Sequence, residues 1–198
     1  MKEQIQNLSE EFFDEIVSVR RHLHMNPELS FEEYETSKYI QSVLKKHDIP
    51  FTTGHVETGI IATIKGKNPY TKEILLRADL DALPITEDNN VEYKSKNEGV
   101  MHACGHDFHS ASLIGTALIL NELKEDFNGT IKFVFQPGEE KLPGGAKLMI
   151  EDGLLNNKPQ ACIAQHVYPD LQVGKVGFRP GLYMASADEI YILSLIHI

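Results

Sequence analysis

The sequence has no tryptophan, only two cysteines and no long apolar run among its 198 residues. Two cysteines cannot build the disulfide framework of a small secreted domain. A membrane span needs roughly 20 consecutive apolar residues, and no stretch comes near that length. No basic run is longer than two residues, and the net charge of −10 would repel a phosphate backbone. The N-terminus lacks the basic and then apolar pattern of a signal peptide. We therefore expect a cytoplasmic protein that binds neither nucleic acid nor membranes.

The rest of the composition is that of an ordinary folded protein, with 41% hydrophobic and 24% charged residues. Apolar residues at three- and four-residue spacing predict helices, and short apolar runs predict strands in a sheet. The predicted helices cover 8–24, a segment of about four turns that begins after Ser30, 106–124 and 146–151. The predicted strands cover 60–64, 74–76, 131–135, 161–164 and 173–178. This alternation indicates an α/β fold with a mostly parallel sheet flanked by helices.

Two local patterns give further predictions. Ser30 and Glu33 have the spacing of a capping box, so we expect them to cap the second helix. Cys162 lies in the apolar run 161–164, and we expect it to be buried as a small hydrophobic residue.

Polar residues that can bind metals follow the ends of the predicted strands. In an open α/β sheet, the carboxyl ends of the strands border the crevice in which ligands bind. The residues are Asp79 and Asp81 after the strand at 74–76, Glu139 and Glu140 after 131–135, His166 after 161–164, and Cys104 and His106 in the loop that enters the third helix. A thiol, imidazoles and paired carboxylates suit a borderline metal ion such as zinc or manganese. We therefore expect four separate segments to meet at one metal site.

Each of these residues also has a structural interpretation. Cys104 alone is more often a packing residue, and His166 among apolar neighbours is more often a hydrogen-bonded core histidine. The adjacent glutamates could form a solvated acidic surface, and Asp79 and Asp81 could close a turn. All of these explanations would have to hold together for the convergence to be accidental, so a shared metal site explains the pattern better.

Adjacent glutamates can divide the chemistry of a hydrolase. Glu140 can bind a metal, while Glu139 holds a water molecule and takes its proton. Cys104 can bind a metal only as a thiolate. Asp81 is suited to orient a ligand, and Asp79 could do the same or bind directly.

Several segments resemble a known family when taken in order along the chain. They are R-R-H-L-H-M-N-P-E-L-S-F-E-E (20–33), R-A-D-L-D-A-L-P (77–84), M-H-A-C-G-H-D-F-H (101–109), Q-P-G-E-E (136–140), G-G-A-K-L-M-I (144–150) and Q-H-V (165–167). They are similar to the dinuclear metallo-amidohydrolases, in the aminoacylase, hippurate hydrolase and auxin-conjugate hydrolase branch of the carboxypeptidase-like metallopeptidases. The resemblance implies the phosphorylase/hydrolase-like catalytic domain of the metallo-exopeptidases.

The resemblance also implies a role for each matching residue. The metal ligands are Cys104, His106, Glu140 and His166, the general base is Glu139, and the carboxylate that supports the site is Asp81. The implied cofactors are two divalent ions: manganese, zinc, cobalt or nickel. The implied reaction is hydrolysis of the amide bond of a small N-acyl amino acid or a dipeptide-like substrate.

Members of this family are roughly twice as long as this chain, because a lid or dimerisation domain interrupts the catalytic domain. We therefore expect residues 1–182 to be the N-terminal part of the catalytic domain and 183–198 to begin the second domain, with a non-native end at 193–198. A final metal-binding histidine and a lid histidine are expected in the missing half. The chain alone should then be inactive or weakly active, and the full-length protein should be a homodimer through the missing domain.

Two other functions remain open at this point. Cys104 could be a thiol nucleophile with His106 or His109 as its base, although this leaves the glutamate pair unexplained. Alternatively, the chain could be a metal-binding remnant that has lost catalysis.

Overall fold

The structure, a computed structural model, describes residues 1–182 of the chain. The chain divides into two units, Met1–Val167 and Tyr168–Ile198. The helices of the first unit are α1 (Lys2–Glu11), α2 (Phe13–Met25), α3 (Tyr34–Lys46), α4 (His106–Glu122) and α5 (Gly145–Glu151), and its strands are β1 (Phe51–Gly54), β2 (Glu57–Lys65), β3 (Glu73–Asp79), β4 (Thr130–Gln136) and β5 (Ala161–Ala164). In the second unit, residues 168–182 form turns and irregular structure without a helix or strand.

Two sequence predictions concern the limits of the fold. Residues 183–198, which we expect to begin a second domain and to end in non-native sequence at 193–198, lie outside the described residues. Among residues 1–182, no helix has both the length and the apolar composition that a membrane span requires.

The strands of the first unit form one sheet in the order β1-β2-β4-β3-β5. β3 is parallel to β4 and to β5, whereas β2 is antiparallel to both of its neighbours. All strands except β2 therefore point in the same direction, and the predicted α/β class with a sheet flanked by helices is confirmed. The reversed β2 makes the sheet mixed, which the sequence does not reveal because a short apolar run does not encode strand direction.

Helices cover both faces of the sheet. On one face, α2, α3 and α4 enclose the main core, in which Phe133 and Phe135 are fully buried. On the other face, Met149 of α5 packs with Leu75 and Val134. Because successive side chains of a strand point to opposite faces, neighbouring residues of β4 fill the two cores. This two-sided burial is the reason that apolar residues follow one another in β4.

Several predicted elements differ from the structure. The predicted helix 8–24 consists of α1 and α2, which only Phe12 separates. β1 has no counterpart among the predicted strands, because three of its four residues are exposed and only Phe51 is a large apolar residue. The strand predicted at 173–178 is wrong: this segment is irregular, and its apolar side chains, Val173 among them, are exposed. A strand needs a pairing partner, and this segment has none among residues 1–182.

β5 occupies the predicted residues 161–164, but its predicted burial is wrong. All four residues of the strand are exposed, because β5 is at the edge of the sheet and pairs only with β3 in the described part of the chain. Cys162, which the sequence predicts to be buried, is consequently exposed.

The predicted capping box at the start of α3 does not form. Neither Ser30 nor Glu33 caps the helix with its side chain. Instead, the Glu28 carboxylate accepts hydrogen bonds from the backbone amides of Glu35 and Thr36, at 3.1 and 2.7 Å. The side chains that were expected to cap α3 bind distant segments, as described below.

Candidate metal centre

Parallel strands bring the predicted site residues to one edge of the sheet. β3, β4 and β5 run in parallel, so their carboxyl ends lie side by side. Every predicted site residue is at or just beyond one of these ends or at the start of α4: Asp79 and Asp81 from β3, Glu139 and Glu140 after β4, His166 after β5, and Cys104 and His106 at α4. The predicted convergence of four segments is present in the structure.

His106, the first residue of α4, is at the centre of this cluster, and its side chain is 1% exposed. Its Nδ1 lies 3.2 Å from Asp81 Oδ1. A proton on Nδ1 that is donated to Asp81 leaves the lone pair on Nε2. That Nε2 is 3.7 Å from Asp79 Oδ2, 3.7 Å from Glu140 Oε1 and 3.9 Å from Glu139 Oε2. The free nitrogen of His106 therefore faces three carboxylates.

Two buried atoms of this cluster, His106 Nε2 and Glu140 Oε1, have no hydrogen-bond partner among the described residues. Leaving a buried polar atom unpaired costs about 1–3 kcal/mol. A cation bound between them would satisfy both atoms, because each presents a lone pair. The residues present thus fit a metal ion.

Cys104 and His166 form the other half of the cluster, with Sγ and Nε2 3.3 Å apart. His166 Nδ1 donates to the backbone carbonyl of Val167 at 2.7 Å, so Nε2 is free to face the thiol. One ligand atom each from Cys104, His106 and His166 lies within 4.8 Å of the others, and the same holds for His106, Glu139 and Glu140. The two sets share His106 and together contain the four predicted ligands, with Glu139 beside them. His106 Nε2 can bind only one ion, so a second ion would have to be held by the thiol, the second imidazole and the carboxylate.

The charges around Cys104 also fit a cation. Burial raises the pKa of Cys104 to about 12, and the negative charges of Glu140 and Glu139 add to the effect. Burial and the charge of Glu140 also raise the pKa of Glu139. A divalent ion reverses this balance, because it stabilises the thiolate and the carboxylates that bind it.

The same contacts argue against Cys104 as a nucleophile. A nucleophilic thiol needs a lowered pKa and a free base beside it. The pKa of Cys104 is raised, and both candidate bases, His106 and His109, hold a carboxylate through Nδ1. His109 Nε2 is also engaged, because it accepts a hydrogen bond from the amide of Val167 at 2.9 Å.

Asp79 and His109 form a buried pair, and the sequence does not predict this contact. His109 Nδ1 lies 2.7 Å from Asp79 Oδ1, and Arg77 Nη1 lies 2.7 Å from Oδ2. Burial would raise the pKa of Asp79, but the hydrogen bond from His109 and the charge of Arg77 outweigh it and lower the pKa well below its ordinary value. With both ring nitrogens occupied, His109 supports the backbone beside His166. The sequence contains one signal that His109 belongs to the site. It follows His106 by three residues, and residues at this spacing share one face of a helix.

Asp81 connects three parts of the site through its carboxylate. Besides His106, it accepts hydrogen bonds from the Ser30 hydroxyl at 2.6 Å and from the Glu140 amide at 2.9 Å. Burial opposes ionisation, but the hydrogen bonds from His106 and Ser30 outweigh it and lower the pKa of Asp81. Asp81 is therefore ionised at neutral pH and holds both an imidazole and the glutamate loop.

Gly145 lies against the loop that carries the glutamates. A Cβ at this position would be 1.7 Å from the backbone oxygen of Pro137. We expect Gly145→Ala to displace the loop, to destabilise the protein by at least about 3 kcal/mol, the upper end for overpacking, and to weaken metal binding. The control is Gly144→Ala, which has open space but a φ of +84° and a ψ of 125°, a strained backbone conformation for alanine. It should cost about 1–3 kcal/mol and leave the glutamate loop in place. Thermal unfolding and metal titration measure both effects, and equal stability of the two variants would contradict the prediction.

Comparison with known proteins confirms the class of protein that the fold and the site indicate. Residues 75–193 match the family described as Peptidase family M20/M25/M40. The matched segment is more than half of the chain, and it includes the strand ends and the cluster described above. The chain belongs to this family of hydrolases, as the sequence motifs predict.

The chain is similar to several individual proteins of this family. The chain is 45% identical over 183 residues to N-acetylcysteine deacetylase of Bacillus subtilis (strain 168), an alignment that covers 92% of the chain and 47% of the relative. It is 41% identical over 191 residues to N-acyl-L-amino acid amidohydrolase of Geobacillus stearothermophilus, which covers 96% of the chain and 51% of the relative. The crystal structure of Bacillus subtilis YXEP protein, described as a dinuclear metal binding peptidase from M20 family, is similar with a TM-score of 0.82 and 45% identity, over 86% of this chain and 47% of that one. The chain spans about half the length of the curated relatives it matches.

Proposed function

We propose that this chain supplies most of the catalytic site of a metal-dependent amidohydrolase that acts on N-acyl amino acids. The observation that carries the proposal is the pair of buried, unpartnered atoms, His106 Nε2 and Glu140 Oε1, beside the thiol of Cys104. In this proposal Cys104, His106, Glu140 and His166 hold two divalent ions. The membership in a peptidase family and the names of the relatives agree with amide hydrolysis.

Glu139 is the proposed general base. When bound, the metal ions polarise the amide carbonyl and make the attacking water more acidic. The Glu139 side chain is 40% exposed, whereas that of Glu140 is 23% exposed, so Glu139 is the glutamate that water and substrate can reach more easily. Glu139 takes a proton from the water molecule while the oxygen of that water bonds to the acyl carbon. The same proton is then delivered to the nitrogen as the carbon–nitrogen bond breaks, which releases a carboxylic acid and a free amino acid.

Asp81 is proposed to act through His106 rather than on the substrate. By accepting the proton of His106 Nδ1, it keeps the lone pair on Nε2 and fixes the plane of the ring. Asp81 also accepts a hydrogen bond from the Glu140 amide, which fixes the position of the glutamate loop relative to the His106 ring. Asp81 thus couples a proposed ligand at the start of α4 with one that follows β4.

The donor set also suggests which ions bind. A thiolate and two imidazoles favour the softer divalent ions, so we propose zinc, manganese, cobalt or nickel over magnesium or calcium. From the resemblance alone, we further propose that the whole protein is a cytoplasmic homodimer. Elemental analysis of the purified protein tests the choice of ions, and light scattering tests the dimer.

Metal removal separates the proposed function from its rivals. We expect the full-length protein to hydrolyse N-acetyl amino acids, to lose at least about 100-fold of this activity in a chelator, and to recover it when a divalent ion is restored. A thiol hydrolase would ignore the chelator, and a non-catalytic remnant would bind the ion without any turnover. Full activity in a metal-free preparation would refute the proposal.

A further inference from the structure

Glu33 is a buried carboxylate for which the proposed reaction has no use. It is the residue before α3 and is 0% exposed. Its Oε1 accepts hydrogen bonds from the backbone amides of Phe31 at 2.9 Å and Gly138 at 2.8 Å, and its Oε2 accepts one from the Thr58 hydroxyl at 2.7 Å. Phe31 lies two residues away, whereas Thr58 and Gly138 belong to segments that are distant in sequence, and all three donors are uncharged.

Burying a carboxyl group is costly unless hydrogen bonds replace its contacts with water, and three donors from the protein surround Glu33. Burial raises the pKa of Glu33, and the hydrogen bonds from Thr58 and Gly138 offset only part of this rise. A helix cap would need no such burial, and Glu33 does not cap α3. What the carboxylate does hold is Gly138, the residue directly before the glutamate pair.

The contact with Gly138 is reinforced by an unusual backbone conformation. Phe31 has a φ of +67°, a left-handed conformation that is unfavourable for an aromatic residue. This conformation places its ring so close to Gly138 that a Cβ there would be 2.3 Å from ring atoms. Because Glu33 Oε1 binds both the Phe31 and the Gly138 amides, one oxygen holds the strained residue and the loop against each other.

The segment that contains Phe31 and Glu33 also binds Asp81, through the side chain of Ser30. Ser30 donates to Asp81 Oδ2 at 2.6 Å, and the same oxygen accepts the Glu140 amide at 2.9 Å. Segment 30–33 thus binds the glutamate loop at two points, directly at Gly138 and through Asp81 at Glu140. We call this segment the loop clamp.

We propose that Glu33 is a positioning residue that sets the location of Glu139 and Glu140 through its hydrogen bond to Gly138, an inference that rests on the proposed function. Glu33 touches neither ligand nor substrate. It fixes the loop that carries the base and one ligand, and a misplacement of about 1 Å at such a site can cost roughly 100-fold in rate.

The experiment compares three variants of the full-length protein. Glu33→Ala removes all three hydrogen bonds. Glu33→Gln keeps a carbonyl oxygen for the two backbone amides, and its NH₂ group can donate to the Thr58 hydroxyl, so it should preserve the clamp. Thr58→Val removes the third bond alone and serves as the control for local packing.

Two readouts are needed. In the metal-free protein, hydrogen exchange of the peptide that contains residues 137–140 should accelerate at least about tenfold in E33A and remain near the wild-type rate in E33Q and T58V. In the metal-loaded protein, kcat of E33A should fall by roughly 10- to 100-fold while KM changes less than about threefold. E33Q should restore kcat, because the clamp depends on the acceptor and not on the charge.

The outcomes separate this inference from the proposed function. Wild-type protein without N-acyl hydrolysis would refute the proposed function, and the exchange data would still decide whether Glu33 holds the loop. A folded E33A variant with wild-type exchange and wild-type kcat would refute the positioning role, as would an E33Q variant as impaired as E33A. If E33A does not fold, Glu33→Asp takes its place, since it keeps the charge but is one methylene shorter.

Discussion

Glu139→Gln is expected to lower kcat of the full-length protein by roughly 10²–10⁴-fold, the range for removing a general base. Glutamine keeps the shape of the side chain but cannot take a proton from water. Glu139 is also the more exposed of the two glutamates, so its replacement should leave the buried ligand atoms in place. Steady-state kinetics and metal content measured on the same preparation should therefore diverge: turnover is lost and the ions stay bound.

The matched control is the neighbouring substitution, Glu140→Gln. It removes a carboxylate whose Oε1 is buried and lacks a hydrogen-bond partner among the described residues. This variant should bind metal at least about tenfold more weakly, so that metal content and activity fall together. If E139Q kept more than about a tenth of the activity, or if E140Q kept its full metal content, the assignment of the two roles would be wrong.

Phe133→Ala should lower the free energy of unfolding by about 3–5 kcal/mol, as expected for a large-to-small change in a closed core. Phe133 is 0% exposed in β4, where its ring packs within the core that α2, α3 and α4 cover. Because β4 lies between β2 and β3, the cavity would open in the middle of the sheet. Chemical denaturation monitored by circular dichroism gives the free energy of unfolding directly.

Phe13→Ala provides the comparison for this prediction. Phe13 begins α2 and is 62% exposed. Its replacement should change the free energy of unfolding by no more than about 0.5 kcal/mol, as for other surface positions. Similar losses in the two variants would mean that Phe133 is not in the main core.

The sequence predicts the part of the fold that depends on local apolar patterns. Phe133 and its neighbours mark β4, and the apolar periodicity after His106 marks α4, because burial of one face or of both faces leaves a regular pattern. The convergence at the metal centre is predictable for the same reason, since the chemistry follows the ends of such strands. The reversed direction of β2 leaves no comparable pattern.

The predictions that failed depend on distant partners. Ser30 and Glu33 have the spacing of a capping box, but their side chains bind Asp81 and Gly138, which no local pattern reveals. Cys162 has apolar neighbours, yet its strand has a partner on one side only within residues 1–182, so it is exposed. The role of His109 depends on Asp79 and on the backbone after β5, and these contacts exist only in three dimensions.

The position of His166 would couple metal binding at the proposed site to the stability of the sheet edge. His166 follows the exposed strand β5, whereas His106 begins the buried end of α4. In the proposed site, an ion bound by both imidazoles would cross-link the edge strand β5 to the buried start of α4. Local opening of β5 would have to release that ion. Binding would therefore add about 2.7 kcal/mol to the free energy of opening when the ion is present at 100 times its Kd. If the proposed site forms, we expect a metal-free preparation to be cleaved by proteases faster than the metal-loaded protein.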